Sequence, residues 1–188
     1  MNLKVLILYY SRDGAVEKLA LQIARGVNSV KNTEAVIRQI KPLANEALEN
    51  NAPFVEEKDL QECAGLALGS PTYFGNMAAP VKFFIDSLTP LWFNGSLENK
   101  PATTFTASGS MHGGNEATLL SMQIPLLHLG MIILGIPYSV NALKETKSGG
   151  TPYGSTHIHD PQGLTKAEKE IAFSQGKRLA ETCLQLAK

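Results

Sequence analysis

The chain has 188 residues, the usual size of one domain, and we expect a single domain over residues 1–188. Apolar residues make up 44% and charged residues 18% of the chain, as in ordinary soluble globular proteins. Lysine plus arginine and aspartate plus glutamate both number 17, so the net charge favours neither nucleic acid nor an anionic membrane surface. Binding to nucleic acid or to a membrane is therefore not expected.

Cysteine content and the N-terminal sequence bear on the compartment. Cys63 and Cys183 belong to no CxxC or Cys/His cluster, so neither a disulfide framework nor a metal site is predicted. The first residues run directly into a strand-like segment without the apolar region of a signal peptide. No apolar stretch reaches the roughly 20 residues that cross a bilayer. We therefore expect a cytoplasmic protein.

Apolar segments that alternate with helical patterns predict an α/β fold. The first, LKVLILY, is a nearly unbroken apolar run, as in a strand covered on both faces. The predicted strands are residues 3–9, 34–40, 64–70, 102–107 and 131–134. The predicted helices are residues 15–30, 79–88, 115–130 and 164–187. This order predicts a doubly wound five-stranded parallel sheet of the flavodoxin-like order 2-1-3-4-5, with helices on both faces.

Prolines and capping residues refine the predicted helices. Pro80 suits the first turn of its helix, whereas Pro125 lies inside a helical pattern and predicts a kink or a break. Thr165 and Glu168 have the spacing of a capping box, which predicts the start of the last helix.

Two segments have weaker patterns. Residues 42–58 are polar, and three alternatives stay open for them: one helical turn at 45–50, disorder, or a loop over the site. Residues 147–160 predict a long, glycine-containing, mobile loop. His157 and His159 in that loop are alternate residues, so a metal-binding pair remains an alternative if the segment forms a strand.

In an open parallel sheet, ligands bind beyond the carboxyl ends of the strands, near the point where the strand order reverses. The first loop (residues 11–16) joins a buried strand to a helix, so free N–H groups and the helix dipole there favour a phosphate dianion. Ser11 can add a hydrogen bond, and Gly14 permits close backbone approach. The loop is neither GxxxxGK[ST] nor GxGxxG, which argues against a P-loop or a dinucleotide site. Alternatively, Ser11 or Asp13 caps the helix.

The second loop (residues 70–77) follows the third predicted strand and carries adjacent aromatic residues, Tyr73 and Phe74. Aromatic rings stack on a flat heterocycle, and loop N–H groups with the Asn76 amide can bond its polar rim. A binding site for a planar ring is therefore predicted. The alternative is that Phe74 packs beneath the loop or in a subunit contact.

The third loop (residues 108–116) combines glycines with hydroxyl groups, so it can pass close to a bound ring. His112 in this loop is a proton donor, an anion contact or a surface residue, and the sequence leaves these roles open. Trp92 follows the third predicted strand and its helix. It either caps a neighbouring site or fills an interface.

Motifs in these loops carry a family resemblance that runs almost end to end. They are LYYS (8–11) with Gly14, GSPTYFGNM (69–77), LW (91–92), GGNE (113–116), His128 with GM (130–131), and GGTPYG (149–154). With these motifs the chain resembles the WrbA-type NAD(P)H:quinone oxidoreductases, a flavodoxin-like family that binds FMN.

The resemblance implies that the FMN phosphate lies on the first loop and the isoalloxazine lies against the second and third loops. The implied cofactor-binding residues are Ser11, Asp13, Gly14, Ala15, Val16, Pro71, Thr72, Tyr73, Phe74, Gly75, Asn76, Ser108, Gly109, Ser110, Met111, His112 and Gly113. The implied substrate-binding residues are Trp92, Tyr73 and His128. The resemblance also implies a homotetramer in which neighbouring subunits complete each site.

This sequence departs from the family pattern on the substrate side. Tyr73 stands where members commonly carry arginine, Asp13 where tyrosine is frequent, and Leu129 where some members carry histidine. The implied reaction is two-electron, ping-pong hydride transfer from NADH or NADPH through FMN to a quinone, with no catalytic side chain assigned. Two other interpretations stay open: a flavodoxin-type electron carrier, against which the neutral charge argues, and a catalytically weak FMN-binding regulatory protein.

Overall fold

A parallel sheet organises the chain, and its central strands are largely buried. The structure is a computed structural model that describes residues 2–43 and 52–187. Within these ranges the strands are β1 Leu3–Tyr9, β2 Thr33–Gln39, β3 Gly65–Tyr73, β4 Asn76–Met77, β5 Pro101–Ser108, β6 Ile132–Ile133 and β7 Gly154–Ile158. The helices are α1 Ala15–Asn28, α2 Glu57–Glu62, α3 Ala79–Asp86, α4 Thr89–Phe93, α5 Asn115–His128, α6 Asn141–Glu145 and α7 Lys166–Leu186.

The predicted strand order is confirmed, with one modification at the fifth position. The parallel sheet has the order β2-β1-β3-β5-β6, and β7 also pairs with β5. Strand β6 pairs with the start of β5, at Pro101 and Ala102, whereas β7 pairs with the remainder, from Thr104 to Ser108. Two segments about 20 residues apart therefore share the position predicted for one strand.

The segment at residues 147–160 corrects the sequence-based prediction of a long mobile loop. It contains β7, and His157 within that strand is buried. The prediction was wrong because Thr156, His157 and the glycines lack the apolar alternation by which strands are recognised. Contacts from neighbouring elements hold the strand in place.

Apolar side chains cover both faces of the sheet. On one face, Leu6 and Leu8 pack with α3 and α5; on the other, Val5 and Ile7 pack with α1 and α7. Helices α1 and α7 approach so closely that a Cβ on Gly26 would overlap the carbonyl of Phe173, and one on Gly176 would overlap that of Ile23. Glycine is required at this crossing because the two backbones are in contact.

Helix predictions were confirmed in most places. The Thr165 capping box is present, and Pro80 lies in the first turn of α3. Of the kink or break predicted at Pro125, the break is wrong: α5 continues through this residue, and Met122 and Leu126 are buried in the core on either side. Helix α2 lies at the end of the segment expected to be irregular, while the helical turn predicted at 45–50 lies outside the described residues. Among the described helices, none is long and apolar enough to cross a membrane.

Candidate functional site

The first loop turns directly into α1 through a left-handed glycine. Gly14 is the N-cap residue with φ of 75°, and it has no side chain with which to cap the helix. The first helical hydrogen bond runs from Lys18 N to Gly14 O at 3.1 Å, so the preceding N–H groups of the first turn have no helical acceptor. Because no side chain caps the helix, these N–H donors remain available to an anion, as at other helix N-termini that bind phosphate.

Two opposite charges lie on the first loop. Arg12 Nε donates to the Asp13 carboxylate at 3.3 Å, and its guanidinium lies 5.9 Å from the ring centroid of Tyr73. This hydrogen bond raises the pKa of Arg12. Because Arg12 and Asp13 compensate each other, the first loop has little net charge of its own.

The second loop forms a two-residue hairpin between β3 and β4. Phe74 and Gly75 at its tip have φ of 53° and 73°, and Tyr73 pairs with Asn76, as in a type I′ turn. The Phe74 side chain is fully exposed, so the alternative in which it packs beneath the loop is excluded. A Cβ on Gly114 of the third loop would lie 2.7 Å from the Cα of Gly75, so the two loops are in direct contact.

Hydroxyl groups join β3 to β5 at the base of these loops. Thr106 Oγ1 donates to the carbonyl of Ser70 at 2.6 Å, which leaves Thr72 Oγ1 as the donor to Thr106 Oγ1 at 2.9 Å. Ser108 Oγ donates to the carbonyl of Ser110 at 2.7 Å and tightens the third loop. A Cβ on Gly109 would meet nothing within 4 Å, so the backbone there borders open space.

The three loops enclose a cavity of about 320 Å³ at the carboxyl edge of the sheet. Its lining residues are Ser11, Arg12, Asp13, Ala15, Val16, Pro71, Thr72, Tyr73, Ala107, Ser108, Gly109 and His159. Nine of the twelve were predicted from the sequence as cofactor-binding residues; the exceptions are Arg12, Ala107 and His159. We define this space as the edge cavity.

Other predicted residues lie near the edge cavity without lining it. Gly14 lies between two lining residues, and the remainder lie at the outer ends of the second and third loops: Phe74, Gly75, Asn76, Ser110, Met111, His112 and Gly113. The Asn76 side chain makes a hydrogen bond within its own loop, in which its Oδ1 accepts the Met77 N–H at 2.8 Å.

Two predicted substrate-binding residues lie elsewhere in the chain. His128 is the last residue of α5, which starts at the carboxyl edge and extends about 20 Å from it at 1.5 Å per residue. Trp92 lies on α4, half exposed, with its ring centroid 4.8 Å from that of Phe93. Neither residue lines the edge cavity in the described part of the chain.

A buried hydrogen bond between His157 and Glu168 holds the segment that leads to the edge cavity. Glu168 is 0% exposed, and His157 Nδ1 lies 3.1 Å from its Oε2. Burial alone would raise the pKa of Glu168, but hydrogen bonds from His157 and from backbone N–H groups lower it to about 2. The donors to the Glu168 carboxylate are His157 Nδ1, Ser148 Oγ, Gly149 N, Ile158 N and Thr165 N. This buried contact is structural, and it rules out His157 as half of an exposed metal-binding pair.

The sequence-based interpretation missed His159 as a lining residue. His159 follows β7 directly, and its N–H donates to the carbonyl of Ser108 at 2.8 Å. The signal was present in the alternating His157-Ile158-His159 pattern, but it has meaning only once Gly154–Ile158 is a strand that ends at the carboxyl edge. In the described residues no group of three or more His, Cys, Asp and Glu side chains is placed to hold a metal ion.

Two cavities of similar volume lack the features of a ligand site. One, of about 340 Å³, lies beside β2, where Lys4 pairs with Glu62 at 2.7 Å and Arg38 pairs with Asp59 at 2.9 Å. The other, of about 390 Å³, is lined mainly by apolar residues, Phe83 and Phe84 among them. Neither lies at the carboxyl ends of the central strands, where this fold binds ligands.

The edge cavity fits a phosphorylated planar ligand. Its one side offers the free N–H groups at the start of α1 and the Ser11 hydroxyl, and its other side offers Tyr73 and open backbone at Gly109. A phosphate suits the first side and a flat ring suits the second. These are the two ends of FMN, which a ribityl chain joins.

Comparison with known proteins agrees with this geometry. A model of the family described as NADPH-dependent FMN reductase matches residues 3–144, three quarters of the chain. The chain belongs to this family. Two curated relatives are both named NAD(P)H dehydrogenase (quinone). That of Syntrophobacter fumaroxidans is 36% identical over 99% of this chain and 100% of its own length. That of Chromohalobacter salexigens is 39% identical over 98% of each chain.

Solved structures confirm the flavodoxin-like fold of this member of the FMN reductase family. A flavodoxin, WrbA-like protein from Agrobacterium tumefaciens has a TM-score of 0.72 and 20% identity, covering 98% of this chain and 99% of that one. An archaeal flavodoxin has a TM-score of 0.68 and 20% identity, covering 97% and 99%. The resemblance recognised in the sequence motifs is confirmed by the family match and the curated relatives.

Proposed function

We propose that this chain is an FMN-dependent NAD(P)H:quinone oxidoreductase. The observation that carries the proposal is the edge cavity, which combines an uncapped helix N-terminus with an aromatic hairpin. The names of the two curated relatives supply the reaction. A flavodoxin-type carrier is the weaker alternative, because the chain has no net charge with which to attract a basic partner protein.

The residues of the edge cavity have separable roles in this proposal. The first turn of α1 and Ser11 bind the phosphate, and the second and third loops position the ring. When bound, FMN supplies the two-electron redox chemistry between a nicotinamide nucleotide and a quinone. Exposed Phe74 and the ring of Tyr73 offer flat apolar surface for either substrate. N–H groups of the second and third loops stabilise negative charge at the ring.

The proposed function predicts quinone turnover that exceeds free flavin. Protein loaded with FMN and freed of excess by gel filtration should retain flavin absorbance. It should then oxidise NADH or NADPH with a benzoquinone, without oxygen, faster than an equal concentration of free FMN. Retained flavin without excess turnover would contradict the enzyme and favour a carrier or regulatory protein.

We propose that the protein is a cytoplasmic homotetramer. Leu120, Ile124 and Leu127 form a stripe on α5, and they are 43%, 60% and 58% exposed. Such a stripe is typical of a surface that another chain covers. A neighbouring copy would also be needed to bring Trp92 and His128 to the edge cavity. Cys63 and Cys183 are free buried thiols, which supports a reducing compartment.

Assembly through the α5 stripe predicts that Ile124→Lys produces smaller species. A lysine there would place a charge in an apolar interface, so light scattering after gel filtration should give a lower mass than for the wild type. Leu21→Lys is the matched control, because Leu21 is an exposed leucine on α1, on the opposite side of the sheet. A tetramer for Ile124→Lys, or a monomeric wild type, would contradict this interface.

A further inference from the structure

His159 lines the edge cavity together with residues of the first loop. Its position is fixed by the backbone: β5 and β7 pair up to Ser108 and Ile158, and the His159 N–H then donates to Ser108 O at 2.8 Å. The same cavity includes Asp13, Ala15 and Val16, at the start of α1. His159 therefore lines the same cavity as the start of α1, where the phosphate lies in our proposal.

The charged and titratable groups around His159 come from the three loops and from the segment that follows β7. From the first loop, Arg12 and Asp13 pair with each other; from the second, Tyr73 lies beneath Arg12. His112 of the third loop is exposed and outside the cavity lining. Next along the chain, Asp160 Oδ1 accepts the Gln162 N–H at 2.8 Å. Beyond it, Lys18 and Lys169 border a separate depression.

We propose that His159 is a phosphate-binding residue of the edge cavity, and that its imidazolium form strengthens FMN binding as the pH falls. The inference rests on the proposed FMN site and adds a residue and a regulation to it. Histidine is the side chain whose charge changes between pH 5 and pH 8, and a phosphate dianion stabilises the protonated ring. Retention of FMN by this chain therefore depends on pH.

The test compares FMN with riboflavin, which has the same ring and lacks the phosphate. Dissociation constants are measured by flavin fluorescence for the wild type and for His159→Gln, at about pH 6 and about pH 8.5. The variant should bind FMN about fivefold more weakly at the lower pH and within about twofold of the wild type at the higher one. Riboflavin binding should be equal in both proteins at both values.

Two further variants separate charge from structure. His159→Lys keeps a cation at all these pH values, so it should bind FMN at the higher pH at least as tightly as the wild type. Lys169→Gln removes a nearby cation outside the edge cavity and should leave the FMN affinity at the lower pH unchanged. Thermal unfolding of each variant without FMN verifies that the fold is intact.

Each other outcome overturns the proposal in a recognisable way. If His159→Gln loses the same FMN affinity at both pH values, the contact does not depend on the charge of the imidazole. If it loses as much affinity for riboflavin as for FMN, His159 contacts the ring or the substitution disturbs the structure. If Lys169→Gln loses as much FMN affinity as His159→Gln, the effect comes from the overall positive charge of the region and not from a contact of His159 with the phosphate. If the wild type itself fails to bind FMN, the proposed function fails and not the role of His159 alone.

Discussion

Replacing Gly14 by aspartate is expected to raise the dissociation constant for FMN by about a hundredfold, or about 3 kcal/mol. Gly14 is the N-cap of α1, and the phosphate in our proposal lies against the N–H groups that follow it. A carboxylate at this position would repel a dianion at close range. Titration of the purified protein with FMN, followed by flavin fluorescence, measures the change.

Gly14→Asn is the matched control for this prediction. Asparagine has the size of aspartate and tolerates the left-handed conformation that Gly14 adopts, but it has no charge. It should weaken FMN binding by no more than about tenfold. Equal affinities of the aspartate and asparagine variants would mean that the phosphate lies elsewhere.

Replacing Glu168 by glutamine is expected to lower the free energy of unfolding at neutral pH by about 3 kcal/mol and the melting temperature by about 10 °C. Five donors converge on this carboxylate. The amide nitrogen of a glutamine would face some of these donors, and it cannot accept a hydrogen bond from them. Glu170→Gln is the control, since Glu170 is an exposed glutamate on the same helix. A loss of less than about 1 kcal/mol would contradict the structural role.

The lowered pKa of Glu168 also fixes the direction of a pH dependence. A carboxylate with a pKa of about 2 in the folded state and about 4.3 in the unfolded state stabilises the fold above the higher value. That stability disappears as the pH falls from about 4.3 to about 2. Urea unfolding should therefore show that the difference in free energy of unfolding between the wild type and Glu168→Gln becomes smaller as the pH falls. A constant difference would contradict this assignment.

The sequence predicted the core of the fold because local and tertiary signals agree there. The apolar run at β1 and the amphipathic pattern of α1 are each sufficient to identify their elements. The capping box at Thr165 likewise marks the start of α7. The strand order located the loops at the carboxyl edge, and the family resemblance implied the cofactor-binding residues, nine of which line the edge cavity.

The sequence could not predict the features that depend on contacts between distant segments. Strand β7 contains Ser155, Thr156 and His157, and it is held by Glu168 and by Gln175, whose Oε1 accepts the Ser155 N–H at 3.0 Å. No local pattern encodes such partners. His159 was missed for the same reason, since its place in the edge cavity depends on β7 being a strand.

The crossing of α1 and α7 at Gly26 and Gly176 has a consequence for synthesis on the ribosome. Helix α7 begins at Lys166, whereas α1 ends at Asn28. About 140 residues separate the two helices. Because the ribosome adds about 5–20 residues per second, roughly 7 to 28 s pass between their synthesis. During this interval Val5 and Ile7 lack part of their cover, and the nascent chain exposes an apolar face that chaperones can recognise.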